Sequence, residues 1–282
     1  VDRIINMSRV LPDEKGTLSI CYPEKDVHTL FGVFHARVHL HTTVYQHKVV
    51  KACELMVRDI LTDADEFLSF KSRITGESFK MSESVTDMSV FCQLKDSILD
   101  IIDASEDPRL EKSRALLDRF LKRDIYKCCG KVELQNQRVT DQSVANRLLE
   151  ISKAQGTPLT SDDFIVEVMV VHHGAGSRNP VDGLRFYVKN ECDISIDRCF
   201  QISRDKYAGA LLPQQMNMHG VRVYATNNSV VDVVKESFVQ WTKLALVNSP
   251  LCSNMSQKSK GTPESQRSRG SPACMKRLVL DN

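Results

Sequence analysis

Apolar side chains return every three or four residues over two early stretches, Asp26 to Leu40 and Tyr45 to Phe67, which predicts helices. Asp26 stands where an N-cap is expected. Run together, the two stretches make one helix of about 40 residues, long for a globular domain. A break is expected near Thr42-Thr43, because β-branched side chains crowd the preceding turn. Ser84 to Ala104 and Pro108 to Arg123 carry two more helical patterns, and Gly130 is expected to end this helical block. Beyond it the period shortens. Phe164–Val171, Leu184–Val188, Arg198–Ile202 and Val221–Ala225 are short and rich in Val, Ile, Phe and Tyr, with Gly, Asn and Pro between them, the pattern of strands. Asn179-Pro180 and Asn227-Asn228 mark turns. Val230 to Val247 returns to helical spacing, with Phe238, Trp241 and Leu244 on one side. Helices, then a mostly antiparallel sheet, then a helix predict an α+β fold. The expected segments are 1–130, mainly helical; 131–249, an α+β lobe; and 250–282, a basic tail without fixed structure.

Composition narrows the class. Of the 282 residues, 41% are apolar and 26% charged, which fits a soluble globular protein. The apolar run Phe164–Val171, interrupted by Glu167, falls far short of the roughly 20 residues of a membrane span, so no membrane partner is expected. The net charge is only +2, and the tail carries more than its share: six basic residues from Lys258 to Arg277 face Glu264 and Asp281. The body has no bulk electrostatic reason to coat DNA. The nine cysteines show no CxxC pair, so reduced thiols of a cytosolic or nuclear protein are expected rather than a zinc knuckle. The chain opens on Val1 and is expected to be a piece of a longer protein, with no signal peptide.

The densest polar cluster runs from His35 to Lys48. At about 100° per residue, Arg37, His41, Tyr45 and Lys48 fall within an arc of about 80° on one helix face. Arg and Lys grip phosphate by charge-assisted bonds, a Tyr ring stacks on sugar or base, and His donates to a phosphate or leaving group. That face suits a phosphorylated small molecule. A solvated face of a surface helix is the plainer reading of the same pattern. His35 and His39 have the i, i+4 spacing of a zinc pair, but no Glu lies between them and no third ligand is near in sequence. His172-His173 before Gly174 look like surface residues at a strand end. No Gly-rich phosphate loop, G-x-S-x-G elbow or His-Asp dipeptide is present.

At these residues a resemblance becomes specific. Phe34-His35-Ala36-Arg37, Leu40-His41 and Tyr45-Gln46-His47-Lys48-Val49 resemble the core motif of the vertebrate SAM-and-HD-domain deoxynucleotide triphosphohydrolases. Asp163-Phe164-Ile165-Val166, Asn179-Pro180 with Asp182, Phe186-Tyr187 with Lys189, Leu211-Leu212-Pro213, Arg222-Val223-Tyr224 and Phe238-Val239-Gln240-Trp241 follow in the family's order. The similarity covers about Arg9 to Trp241. It implies an enzyme that cuts dNTPs to deoxynucleoside and inorganic triphosphate. It also implies a divalent metal (Zn, Fe, Mn or Mg) held by the full-length protein only, activation by GTP and dNTP, and a homotetramer. A nucleus-located protein of dNTP catabolism, innate immunity and antiviral defence goes with that family. The family's metal ligands lie upstream of the matching region, so this chain is expected to hold the second half of the HD domain and the lobe after it, without metal ligands.

Carried over by position, the resemblance makes Arg37 the grip on the substrate triphosphate, and His41, Tyr45 and Gln46 the lining of its sugar and phosphates, with His41 and Tyr45 as catalytic candidates. His47, Lys48, Val49, Lys25, Lys189 and, less securely, Arg3 match the regulatory dNTP site; Arg123 and Lys127 match the guanine-nucleotide site. Lys48 thus falls at the regulatory site although helix geometry puts it on the substrate face, and a break near Thr43 would reconcile the two. Two family arginines are Thr42 and Thr43 here. Pro23 and Thr29 replace an arginine and an asparagine of the regulatory site. Each buried charge-assisted contact contributes roughly 1.5–3 kcal/mol, so regulation is expected to be altered. In the tail, Thr262-Pro263 and Ser271-Pro272 are candidate phosphorylation sites for a cyclin-dependent kinase, and single-stranded nucleic acid is a further candidate partner. Two other readings stay open: a non-catalytic nucleotide- or RNA-binding regulatory paralogue, and a plain α+β interaction module.

Overall fold

The computed structural model describes residues 2–134, 139–188, 198–203 and 216–247. In chain order the elements are α1 (Asp2–Met7), β1 (Arg9–Pro12), β2 (Leu18–Pro23), α2 (Val27–Leu40), α3 (Lys48–Ala64), β3 (Ser69–Lys71), β4 (Ser78–Lys80), α4 (Met88–Phe91), α5 (Ile98–Ala104), α6 (Glu111–Leu121), β5 (Lys127–Leu134), α7 (Asp141–Ala154), β6 (Phe164–His172), β7 (Arg185–Tyr187), β8 (Asn217–Ala225) and α8 (Val231–Val247). The fold is α+β. The described residues fall into two compact units, one holding residues 2–46, 133–134, 168–188, 198–203 and 216–221, the other residues 47–132, 139–167 and 222–247. No helix among the described residues is long and apolar enough to cross a membrane.

In the first unit β1 and β2 form an antiparallel hairpin that the hydrophobic pattern does not announce. Its turn is built by Asp13, whose Oδ1 accepts the N–H groups of Lys15 and Thr17 at 2.9 Å, and by Gly16 at φ +80°. β7 adds to β2 in parallel, with Tyr22 opposite Phe186. That parallel pairing departs from the mostly antiparallel expectation. The stretch 198–202 contributes only an isolated bridge, Phe200 to Phe186. Val27 and Leu30 of α2 pack with Val181, Phe186 and Ile202 to form the core. Asn179 caps the 3-10 turn Pro180–Gly183 by accepting the Val181 N–H at 3.1 Å, as the Asn-Pro signal anticipates.

In the second unit α3 buries Ala52, Leu55, Met56, Ile60 and Ala64, a single stripe at helical spacing. Half of that stripe packs on Ile102, Leu110 and Leu117, the other half on Tyr126 and Tyr224. Both phenols are buried and hydrogen-bonded: Tyr126 donates to Asp59 at 2.9 Å, Tyr224 to the Lys48 carbonyl at 3.1 Å. Burial raises both above the usual tyrosine range. β5, β8 and β6 form a three-stranded sheet with β8 in the middle.

Three sequence expectations are corrected here. Ser84 to Ala104 is not one helix, because the Asp87 carboxylate captures the N–H groups of Ser89 and Val90 and starts a new turn. Gly130 does not end the helical block; it sits inside β5, where a Cβ would lie 2.8 Å from the Phe238 ring. The block ends instead near Arg123, a non-glycine residue at φ +63°. On α8, Phe238 and Trp241 are buried and stacked with ring centroids 5.6 Å apart, whereas Leu244 is exposed.

Candidate functional site

α2 positions the polar cluster in the first unit. Its last turn widens into a π turn over His41–Tyr45, closed by the Gln46 N–H on the His41 carbonyl at 2.8 Å, five residues back. Thr42 and Thr43 account for the widening. Thr42 Oγ1 donates to the carbonyls of Val38 and His39 at 2.9 and 3.0 Å, and Thr43 Oγ1 to His39 at 2.7 Å. Such bonds compete with the regular helical ladder. The expected break at the two threonines is therefore a loosening. The helix itself stops at Gln46, before His47 in an extended conformation.

Arg37, His41 and Tyr45 follow one another at one-turn spacing and touch. Arg37 Nη1 donates to His41 Nε2, and the His41 and Tyr45 rings lie 5.2 Å apart at 57°. A guanidinium only donates, so His41 Nε2 is the bare nitrogen and the proton sits on Nδ1. Desolvation holds the His41 imidazole below its usual pKa, and the charges of Arg37 and His172 push the same way. His41 is a neutral donor at neutral pH. Among the described residues no carboxylate pairs with Arg37. Lys48 opens α3, so the arc drawn by a uniform helix does not extend to it.

The loop after β6 packs on this part of α2. Gly174, at φ +118°, lies alongside it: a Cβ there would be in ordinary van der Waals contact, 3.7 Å from the Phe34 ring and 3.9 Å from Arg37 Cδ and Nε. His172 Nδ1 accepts the Gly174 N–H at 3.0 Å and the Gly176 N–H at 3.4 Å. His173 is buried, with Nδ1 2.9 Å from the Met216 carbonyl, and its ring stacks with Phe31 at 6.0 Å and His35 at 6.5 Å. The pair does stand at the end of β6, but the reading of His173 as a surface residue is corrected by this packing. Nothing local announces it, because the partners lie more than 130 residues upstream. His35 belongs to that ring stack and His39 is exposed. Among the described residues no group of three or more His, Cys, Asp and Glu side chains is placed to hold a metal ion.

The remaining candidates are distributed as follows. Lys25 lies in the 3-10 turn Glu24–Asp26, and Arg3 pairs with the buried Asp26 carboxylate. That pairing occupies the side chain expected to cap α2, which makes no capping bond. In the second unit, His47 caps α3 by accepting the Val49 N–H at 3.3 Å. Val49 borders a groove of about 560 Å³ on the exposed face of α3, with Val50, Val57 and Leu61. Arg123 and Lys127 are exposed, at the end of α6 and the start of β5. Lys189, Thr262 and Ser271 lie outside the described residues.

No protein-family model matches the chain. Curated proteins do. The deoxynucleoside triphosphate triphosphohydrolase SAMHD1 of Danio rerio is 31% identical over 246 residues, 85% of this chain and 38% of that protein. The homologue from Dictyostelium discoideum is 28% identical over 236 residues, 84% of this chain and 41% of that protein. A putative HD domain-containing protein, L394, of Acanthamoeba polyphaga mimivirus is 24% identical over 234 residues. The chain spans about two fifths of the length of the SAMHD1 relatives it matches.

Proposed function

The chain is a divergent SAMHD1-like sequence, and on that premise we propose that it carries the triphosphate grip and the regulatory portion of a dNTP triphosphohydrolase. The observation that carries this reading is the contact series Arg37–His41–Tyr45 over the end of α2 and its π turn, an array of donors and one aromatic ring with, among the described residues, no acid paired to the arginine. Arg37 neutralises and orients the triphosphate by charge-assisted bonds. His41, holding its proton on Nδ1, donates to a phosphate oxygen. Tyr45, more than half exposed, offers its ring and hydroxyl to the sugar, and Gln46 adds an amide beside it.

His47, Lys48, Val49, Lys25, Arg3 and Lys189 serve a regulatory dNTP, Arg123 and Lys127 a guanine nucleotide, and the full-length protein assembles as a homo-oligomer. Water activation in such a hydrolase is the work of a divalent metal. Binding and positioning are the part that this reading assigns to the present chain. The test is dGTP hydrolysis by the full-length protein, following release of deoxyguanosine and inorganic triphosphate. Arg37→Ala is expected to lower kcat/KM by a factor of about ten or more, because it removes a charge-assisted contact to the triphosphate. A variant with wild-type kcat/KM contradicts the grip. Nucleotide binding without any turnover in the wild type points to the non-catalytic regulatory paralogue instead.

A further inference from the structure

His172 lies outside the motifs quoted for the family resemblance, yet the loop that it opens lies beside Arg37 through Gly174. The backbone of its own loop fixes its chemistry. Two N–H groups, from Gly174 at 3.0 Å and Gly176 at 3.4 Å, converge on Nδ1. Both glycines hold positive φ, +118° and +65°, which favours glycine and turns the two amides towards the ring. With Nδ1 accepting, the neutral imidazole keeps its proton on Nε2, on the opposite side of the ring. Gly174 meanwhile packs against the Arg37 stem.

We propose that His172 is a third donor of the anion grip, its Nε2–H acting with the Arg37 guanidinium and the His41 Nδ1–H on one triphosphate group. The inference rests on the reading of Arg37 and His41 as a triphosphate site. The chemistry of the cluster favours an anion over a cation: one guanidinium, two imidazoles with fixed protons and, among the described residues, no carboxylate paired with the arginine. The loop's role is to aim His172, since its amides are spent on orienting the ring rather than on the ligand.

The experiment is calorimetric titration of the chain with inorganic tripolyphosphate, comparing wild type with Arg37→Ala, His172→Ala, His172→Asn and His172→Gln, each first checked by circular dichroism. A glutamine amide reaches roughly the position of Nε2, an asparagine amide only that of Nδ1. Loss of one hydrogen bond to a charged ligand corresponds to about a fivefold or larger rise in Kd. That rise is expected for His172→Ala and His172→Asn, with His172→Gln staying within about twofold of wild type. If Arg37→Ala loses binding while His172→Ala and His172→Asn bind as wild type does, His172 is not part of the grip and the triphosphate reading survives. A glutamine as weak as the asparagine overturns the donor role. If the wild type itself does not bind tripolyphosphate, both readings fall.

Discussion

His41 shows how surroundings set the protonation of one side chain. Desolvation opposes a positive charge on its ring, and the Arg37 guanidinium that donates to Nε2 opposes it further. Unfolded, a histidine protonates near its ordinary pKa of about 6.5. The folded His41 resists, so the unfolded state binds more protons as pH falls through that range, and folding stability drops. Wild type is therefore expected to lose about 2 °C more in Tm than His41→Gln between pH 7.5 and 5.5. Equal losses would show that His41 is not held neutral by its neighbours. Much of this group is legible in the sequence, because residues at i, i+4 and i+8 share a helix face whatever the tertiary fold. His172 and Gly174 are not. Their place depends on contacts across more than 130 residues, and no local period encodes such a contact.

At the scale of elements, long periodic segments can be read and short paired ones cannot. α2, α3, β6 and α8 lie within a few residues of where hydrophobic spacing places them. The hairpin of β1 and β2 and the parallel addition of β7 escape such a reading, since strands of three to six residues carry little periodicity and their pairing is non-local. α7 also goes unannounced by the apolar pattern, although Thr140 and Ser143 form a capping box at its start. Gly130 suggests a turn on residue type alone, while its real constraint is the neighbouring Phe238 ring, fully buried and 2.8 Å from where an alanine methyl would stand. Gly130→Ala is accordingly expected to destabilise the fold by about 1–3 kcal/mol, the usual cost of overpacking. A urea midpoint equal to wild type would mean that Phe238 swings clear at no cost. The thiol of Cys129, in the same strand, is pushed up to about 12 by burial, so it is expected to pack rather than react.

For the whole molecule, the family resemblance implies a substrate face that keeps the family's residues better than the regulatory site does. Thr42 and Thr43, which the resemblance sets at two arginine positions of the family, turn their hydroxyls onto carbonyls of their own helix. They offer no positive charge to a bound nucleotide. Assembly of the full-length protein driven by GTP and dATP is thus expected to need far more dATP than a site with both arginines would. Sedimentation velocity checks this, and tight assembly at micromolar dATP contradicts it. The central claim is that this chain grips a nucleotide through its triphosphate. It is tested most directly by titrating the 282-residue chain with dGTP and, in parallel, with deoxyguanosine. The expected result is saturable dGTP binding that is weakened in Arg37→Ala, with no measurable binding of deoxyguanosine. Equal affinity for nucleotide and nucleoside, or dGTP binding indifferent to Arg37, would contradict the account.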